Sequence, residues 1–316
     1  MSAEYNTNND QEFQDKLTEF GLESDCPVFE GMYEYVRWVG GASISAAQAL
    51  CDNTHDVVIA WDGGRHHAGQ SHAAGFCYVN DIVLAIFKLH NVFQKVLYID
   101  IDIHHGDGVE KAFELSQRVF TLSFHRFDAG FFPGTGTLGD IGYGKGLFHS
   151  LNIPLRSGLN GDNFLKIFTN VIENTVKNYG PDVIVMQCGV DGLFGDPLGG
   201  KWNLDIKSFG MAVKHVLSYK LPTMLLGGGG YSKALAARCW TYCTAVALEL
   251  EDIIPKDIPE HAFFSDYGPD FTIFCDSGNQ FDRNEIGEYT DNVMEEALNL
   301  LENLKIHPKL LKEDPS

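Results

Sequence analysis

The chain has 316 residues, 44% hydrophobic and 21% charged, proportions of a folded globular protein that exclude a disordered chain and a coiled coil. Its 23 Lys and Arg face 43 Asp and Glu, a formal charge of −20; such a surface repels phosphate backbones, which argues against direct nucleic-acid binding, and attracts basic peptides. Seven cysteines without a Cys-x-x-Cys pair, a polar opening MSAEYNTNND with no secretory core and no apolar run of membrane-spanning length point to reduced thiols, an intracellular protein and no membrane contact.

In chain order, a polar end over about 1–12 runs into a helix in QEFQDKLTEF. The run DVVIAWDGG then reads as a strand and VNDIVLAIFKLHNVF as a helix. Strands are expected again in KVLYIDIDIHHGDG and RVFTLSF, followed by a Gly-rich loop from Gly130 to Gly146 that is a candidate mobile segment. A helix over 163–178 can be capped by Asp162 or Asn163 and is stopped by Gly180-Pro181. Strands in DVIVMQCGVDG and PTMLLGGGGY alternate with helices in SFGMAVKHVLSYK and KALAARCWTYCTAVALELE, and a second polar tail covers 305–316.

The strand runs are short, rich in β-branched residues and bounded by Gly or Asp, as expected of strands buried on both faces. Their alternation with helices predicts an α/β protein: a three-layer, doubly wound, mostly parallel sheet with helices on both faces. No repeat, linker or charge block divides the chain, so residues 1–316 are expected to form one domain. Cys239 and Cys243, four apart in a predicted helix, read as small buried hydrophobes.

Ligand crevices of such sheets lie beyond the carboxyl ends of the strands. His66 and His67, the segment Asp102 to Asp107, Asp191 and Tyr231 all follow strand runs, and their clustering marks a site. If IDIDIH stays extended, Asp100, Asp102 and His104 share one face and Ile99, Ile101 and Ile103 the other. Buried together, two carboxylates and an imidazole repel and desolvate one another unless a cation compensates. With Asp191 added, the set suits Zn²⁺ with an open position, or Fe²⁺ or Mn²⁺.

His66 and His67 follow Gly63-Gly64 and read as acid/base groups, with Asp100 and Asp107 as carboxylates to orient them. Four glycines before Tyr231 let the backbone bend closely past a ligand and point a phenol at it. Phe76 and Phe132 suit the apolar walls of a narrow pocket. Gly134, Gly136 and Gly139 match G-x-G-x-x-G, but no strand runs into them, and dinucleotide binding is set aside.

From Asp25-Cys26-Pro27 to Asp282-Arg283-Asn284-Glu285 the chain resembles the class I zinc-dependent histone deacetylases of the arginase-deacetylase fold. The resemblance rests on GGASISAAQ, WDGG followed by HHA, GFCYVND, YIDIDIHHGDGVE, FHRF, GFFPGTG, GGGGY and ARCWTY. SDCP, GDPL and YGPD resemble the stand-alone member of that class more than the corepressor-bound ones. A single deacetylase catalytic domain over 1–316 is thereby implied.

By that resemblance Asp102, His104 and Asp191 hold a zinc ion, His66 and His67 are the tandem histidines with Asp100 and Asp107 as partners, and Tyr231 stabilises the transition state. Asp25, Gly75, Phe76, Phe132 and Leu198 would bind the substrate, and a potassium ion would lie at Asp100, Asp102, His104 and Ser123. The implied reaction is hydrolysis of N6-acetyl-lysine in histones or other proteins, in the nucleus and/or cytoplasm. A corepressor complex is not indicated by the sequence.

Measured against the family, the chain starts just before the helix QEFQDKLTEF, so an edge strand and part of the pocket base, where the family carries an arginine-bearing loop, are expected to be missing. Gly195 to Leu204 carries one extra residue, Arg65 stands where Trp is frequent, and Val190 replaces Ala. Two alternatives follow: an amidohydrolase of the same fold acting on a small molecule such as an acetylated polyamine, or an inactive scaffold.

Overall fold

The computed structural model describes residues 7–304. Six strands form its sheet: β1 (Val57–Ala60), β2 (Val96–Asp100), β3 (Val119–Arg126), β4 (Ser150–Leu155), β5 (Val183–Gln187) and β6 (Thr223–Leu226). They lie in the order β1-β6-β5-β2-β3-β4, and every pairing is parallel. The expected mostly parallel sheet is thus wholly parallel among the described residues. A parallel sheet needs cover on both faces, and the alternation of side chains supplies it. In β2, Leu97 and Ile99 enter one core, while Val96 and Tyr98 enter the other.

Helices cover the two faces separately. α1 (Thr7–Glu19) precedes α2 (Met32–Cys51), α3 (Asp81–Leu89) and α4 (Asp107–Phe113), and the last three supply Ala47, Ile86 and Val109 to the smaller core. The larger core receives Phe168 from α5 (Gly161–Tyr179), Phe209 from α6 (Ile206–Leu217), Cys239 from α7 (Lys233–Ala247) and Ala297 from α8 (Tyr289–Asn303). Cys239 and Cys243 are both fully buried there, as small hydrophobes.

Three expectations need correction. α1 already begins at Thr7, so the polar end does not extend to residue 12; the tail 305–316 lies outside the described residues. α5 starts at Gly161 because Asn160, not Asp162 or Asn163, is its cap, its side chain accepting the Asn163 N–H. The β2 ladder ends at Asp100 and the chain bends from Asp102 onward. Ile101 and Ile103 nevertheless stay in the larger core, so the division of the segment into an apolar and an ionisable side survives the bend.

Chain direction across the sheet reverses between β2 and β5: β3 and β4 build outward on one side, and β5 and β6 return on the other. A crevice opens at such a point, beyond the carboxyl ends of the strands.

Candidate active site

Asp102 and His104 follow β2, and Asp191 follows β5, directly at that reversal. All three are buried, and one donor atom from each lies within 4.8 Å of the others. His104 Nδ1 stands 3.1 Å from Asp102 Oδ1 and 2.9 Å from Asp191 Oδ2. The backbone helps to place the carboxylates: the N–H of Ile103 donates to Asp191 Oδ1 and that of Gly229 to Asp102 Oδ2.

Burial and then the charge of Asp102 push the Asp191 carboxyl up to about 7. Burial also opposes ionised Asp102, yet His66, His104 and Gln187 hold its carboxyl well below the usual range. Two carboxylates this close cannot both stay ionised at low cost without a cation between them. Their oxygen and nitrogen donors fit a divalent metal such as zinc.

The loop after β1 supplies the tandem histidines. Asp81, the first residue of α3, accepts the N–H groups of Gly64 and Arg65 and so fixes that loop. His66 Nδ1 lies 2.8 Å from Asp100 Oδ2, and His67 Nδ1 lies 2.8 Å from Asp107 Oδ1. A carboxylate only accepts, so Nδ1 carries the hydrogen in both rings. In His67, which stays neutral, Nε2 is left with its lone pair.

Their charge states differ. Burial disfavours a cation at His66, but the charges of Asp100 and Asp102 outweigh it and lift the pKa to about 9. At His67, burial and then repulsion from His66 outweigh Asp107 and lower it to about 4. At neutral pH one ring is therefore a fixed cation and its neighbour a neutral base.

A cavity of about 280 Å³ opens above these groups, lined by Asp25, His67, Gly75, Phe76, His104, Phe131, Phe132, Leu198 and Tyr231. Each of the sequence-derived candidates Asp25, Gly75, Phe76, Phe132 and Leu198 thus lies at one opening. Gly75 has φ +55, and a Cβ there would run into the His67 ring, so only glycine allows the wall to approach the histidine. Asp25 Oδ2 accepts the Gly75 N–H at 2.8 Å. Burial, then the nearby carboxylates, raise the Tyr231 phenol far above its ordinary range, keeping it a protonated donor.

Ser123 pairs with Asp100 across the β2–β3 ladder, and its hydroxyl lies 2.9 Å from His125 Nδ1. Arg65 has a buried Nε without a partner among the described residues, and Val190 is buried in the larger core.

Sequence reasoning missed four residues. Gln187 donates to Asp102 Oδ2, Tyr98 donates to Asp100 Oδ2, Asp196 accepts the Tyr231 N–H, and Phe131 stacks on His104 at 4.9 Å. Gln187 and Tyr98 sit inside strand runs, and Phe131 shares a dipeptide with Phe132, so only Asp196, in the loop after Asp191, carried a visible signal.

Comparison with known proteins places the chain in a family. The histone deacetylase domain matches residues 1–247. Histone deacetylase 8 of Xenopus laevis is 44% identical over 287 residues, covering 91% of this chain and 86% of that protein. Histone deacetylase 1 of Homo sapiens is 45% identical over 300 residues, covering 95% of this chain and 61% of that protein. Histone deacetylase 8 of Danio rerio is 45% identical over 267 residues, covering 84% and 70% respectively. Identity to the two groups is thus nearly equal, although the chain spans only about three fifths of the human relative. On these matches, the chain belongs to the class I histone deacetylase family.

Proposed function

We propose that the chain is a zinc-dependent lysine deacetylase that hydrolyses the acetyl amide of N6-acetyl-lysine in histones or other basic proteins, in the nucleus or cytoplasm. The observation that carries this reading is convergence: a neutral His67, the Tyr231 phenol and His104 of the buried Asp-His-Asp set all line one aromatic-walled cavity.

Asp102, His104 and Asp191 would hold the zinc ion, which when bound polarises the acetyl carbonyl and acidifies water. His67 accepts the water proton at Nε2 and later delivers it to the departing lysine amine. Asp107 keeps that nitrogen free by holding the hydrogen on Nδ1. Tyr231 donates its phenolic hydrogen to the carbonyl oxygen as negative charge develops there.

Cationic His66 acts through its field and stays bound to Asp100. A potassium ion at Asp100, Asp102, His104 and Ser123 would complete the charge balance beside the zinc. Phe76, Phe132 and Leu198 line the path of the lysine methylenes, and Asp25 would hold the substrate backbone at the rim. Acetyl-lysine is neutral, so it enters an apolar tunnel at far lower desolvation cost than an ammonium. No helix among the described residues is long and apolar enough to cross a membrane.

The test combines metal analysis with turnover of a fluorogenic acetyl-lysine peptide for the wild-type chain, Tyr231→Phe and Asp102→Asn. Stoichiometric zinc in the wild type and Tyr231→Phe, reduced zinc in Asp102→Asn, and turnover lost in both variants are expected. A zinc-loaded wild type inert on the peptide overturns the reading; turnover of acetylated polyamines would then establish the small-molecule alternative.

A further inference from the structure

Arg126 ends β3, and its backbone N–H donates to the carbonyl of Ile103 at 2.8 Å, one residue before His104. Its guanidinium carbon lies 4.1 Å from the centre of the Phe131 ring. Phe131 in turn stacks on His104, with ring centres 4.9 Å apart and planes 8° from parallel. Arg126, Phe131 and His104 form a run of three flat groups that ends on a candidate metal ligand.

Further bonds fix the base of this run. Arg126 Nε donates to Asp128 Oδ2 at 2.6 Å, and the Asp128 carbonyl accepts the Phe131 N–H at 3.0 Å. The same carboxylate oxygen accepts the Ser157 N–H at 3.1 Å, tying the turn to the segment after β4. The ion pair is well sheltered, its side chains 15% and 17% exposed.

A ligating imidazole is normally oriented by a hydrogen bond from its second nitrogen. In His104, Nδ1 faces both carboxylates, and among the described residues Nε2 makes no hydrogen bond. Ring contacts are what restrain the imidazole instead: His67 and Phe132 meet it edge-on at 6.0 and 6.2 Å, and Phe131 alone among the described residues stacks flat on its face. A guanidinium over an aromatic face is attracted by the ring quadrupole and is flat enough to pack against it, which an ammonium is not.

We propose that Arg126 is a positioning residue of the metal centre, holding His104 through Phe131 in its ligating orientation. This rests on the reading of Asp102, His104 and Asp191 as metal ligands. The column is broken at either joint by Arg126→Ala or Phe131→Leu.

The experiment measures the zinc dissociation constant by chelator competition for wild type, Arg126→Ala, Phe131→Leu and the double variant, with KM for the acetyl-lysine peptide in parallel. Each single variant is expected to bind zinc about tenfold more weakly, the scale of losing a ligand-orienting contact. The double variant should be no weaker than the singles, and Arg126→Ala should leave KM unchanged.

Wild-type zinc affinity in Arg126→Ala, or losses that multiply in the double variant, overturns the proposal. If the alanine variant does not fold, Arg126→Lys, which keeps a charge for Asp128 but no flat face, is measured instead; wild-type affinity there is equally fatal. A wild-type chain that takes up no zinc removes the ligand set itself, and with it the role of Arg126.

Discussion

His66 and His67 are adjacent, yet one is held as a cation and the other neutral: two carboxylates outweigh burial at His66, whereas at His67 burial and the charge of His66 outweigh the single partner Asp107. Asp100 sits fully buried beside Asp102, whereas Asp107 stands at the start of α4, partly open to solvent. Replacing Asp107 by Asn lets an amide NH₂ turn toward Nδ1 and moves the hydrogen of His67 to Nε2, where it blocks proton acceptance. Asp107→Asn should lower kcat by about 10²–10⁴-fold, the range of a lost general base, with zinc content unchanged. Steady-state turnover and metal analysis check both halves. These partners were legible in the sequence because ionisable groups crowd after β2. Phe131 and Gln187 were not, since nothing local separates a residue that touches the site from one that fills a core.

Five of the six strands could be read from their apolar runs: β1, β2, β5 and β6 hold almost no polar residue, and in β3 Val119, Phe120, Leu122 and Phe124 carry the pattern. β4 escaped: Ser150-Leu151-Asn152-Ile153-Pro154-Leu155 carries Asn and Pro, which an edge strand tolerates because one side of its backbone needs no partner. α2 escaped because Gly40-Gly41 interrupts its apolar stripe, and α4 because its seven residues give too short a period to recognise.

Two variants test how elements carry the site. Gly64 has φ +99, and a Cβ there would strike the Gly227 carbonyl, so Gly64→Ala should push the β1 loop off the β6 loop. The strained backbone alone costs on the order of 1–3 kcal/mol. A lowered melting temperature together with lost turnover is the expected result. Asn160→Ala removes the α5 cap and should cost about 1 kcal/mol in denaturant unfolding. It should leave KM for the acetyl-lysine peptide untouched, since no residue of α5 lines the cavity.

A charge of −20 gives the whole molecule a field that draws cationic chains inward. KM for a Lys-rich acetylated peptide should therefore rise with ionic strength, while KM for a small neutral acetyl-lysine amide stays nearly level. Acid acts on the fold through imidazoles outside the catalytic pair. Burial, first of all, lowers His90, His125 and His215 from the ordinary 6.5. Unfolding lets these rings take up protons that the folded state refuses, so their contribution is fully present above 6.5 and is lost as pH falls toward the folded values. His125→Gln should flatten the decline of melting temperature below that point, measured by scanning calorimetry across the window.

Asp191 joins His104 across 87 positions of sequence. The intervening segment contains α4, β3, β4, α5 and β5, and so three of the six strands of the sheet. On the proposed ligand set, an ion gripped from both ends of that segment would work as a removable staple, closing a large ring as a cross-link does. At a hundredfold excess over its dissociation constant it would add about 2.7 kcal/mol to the folded state. Stripping the metal should therefore raise amide hydrogen exchange first in the outer half, β3, β4 and α5, before β1 and β6 loosen.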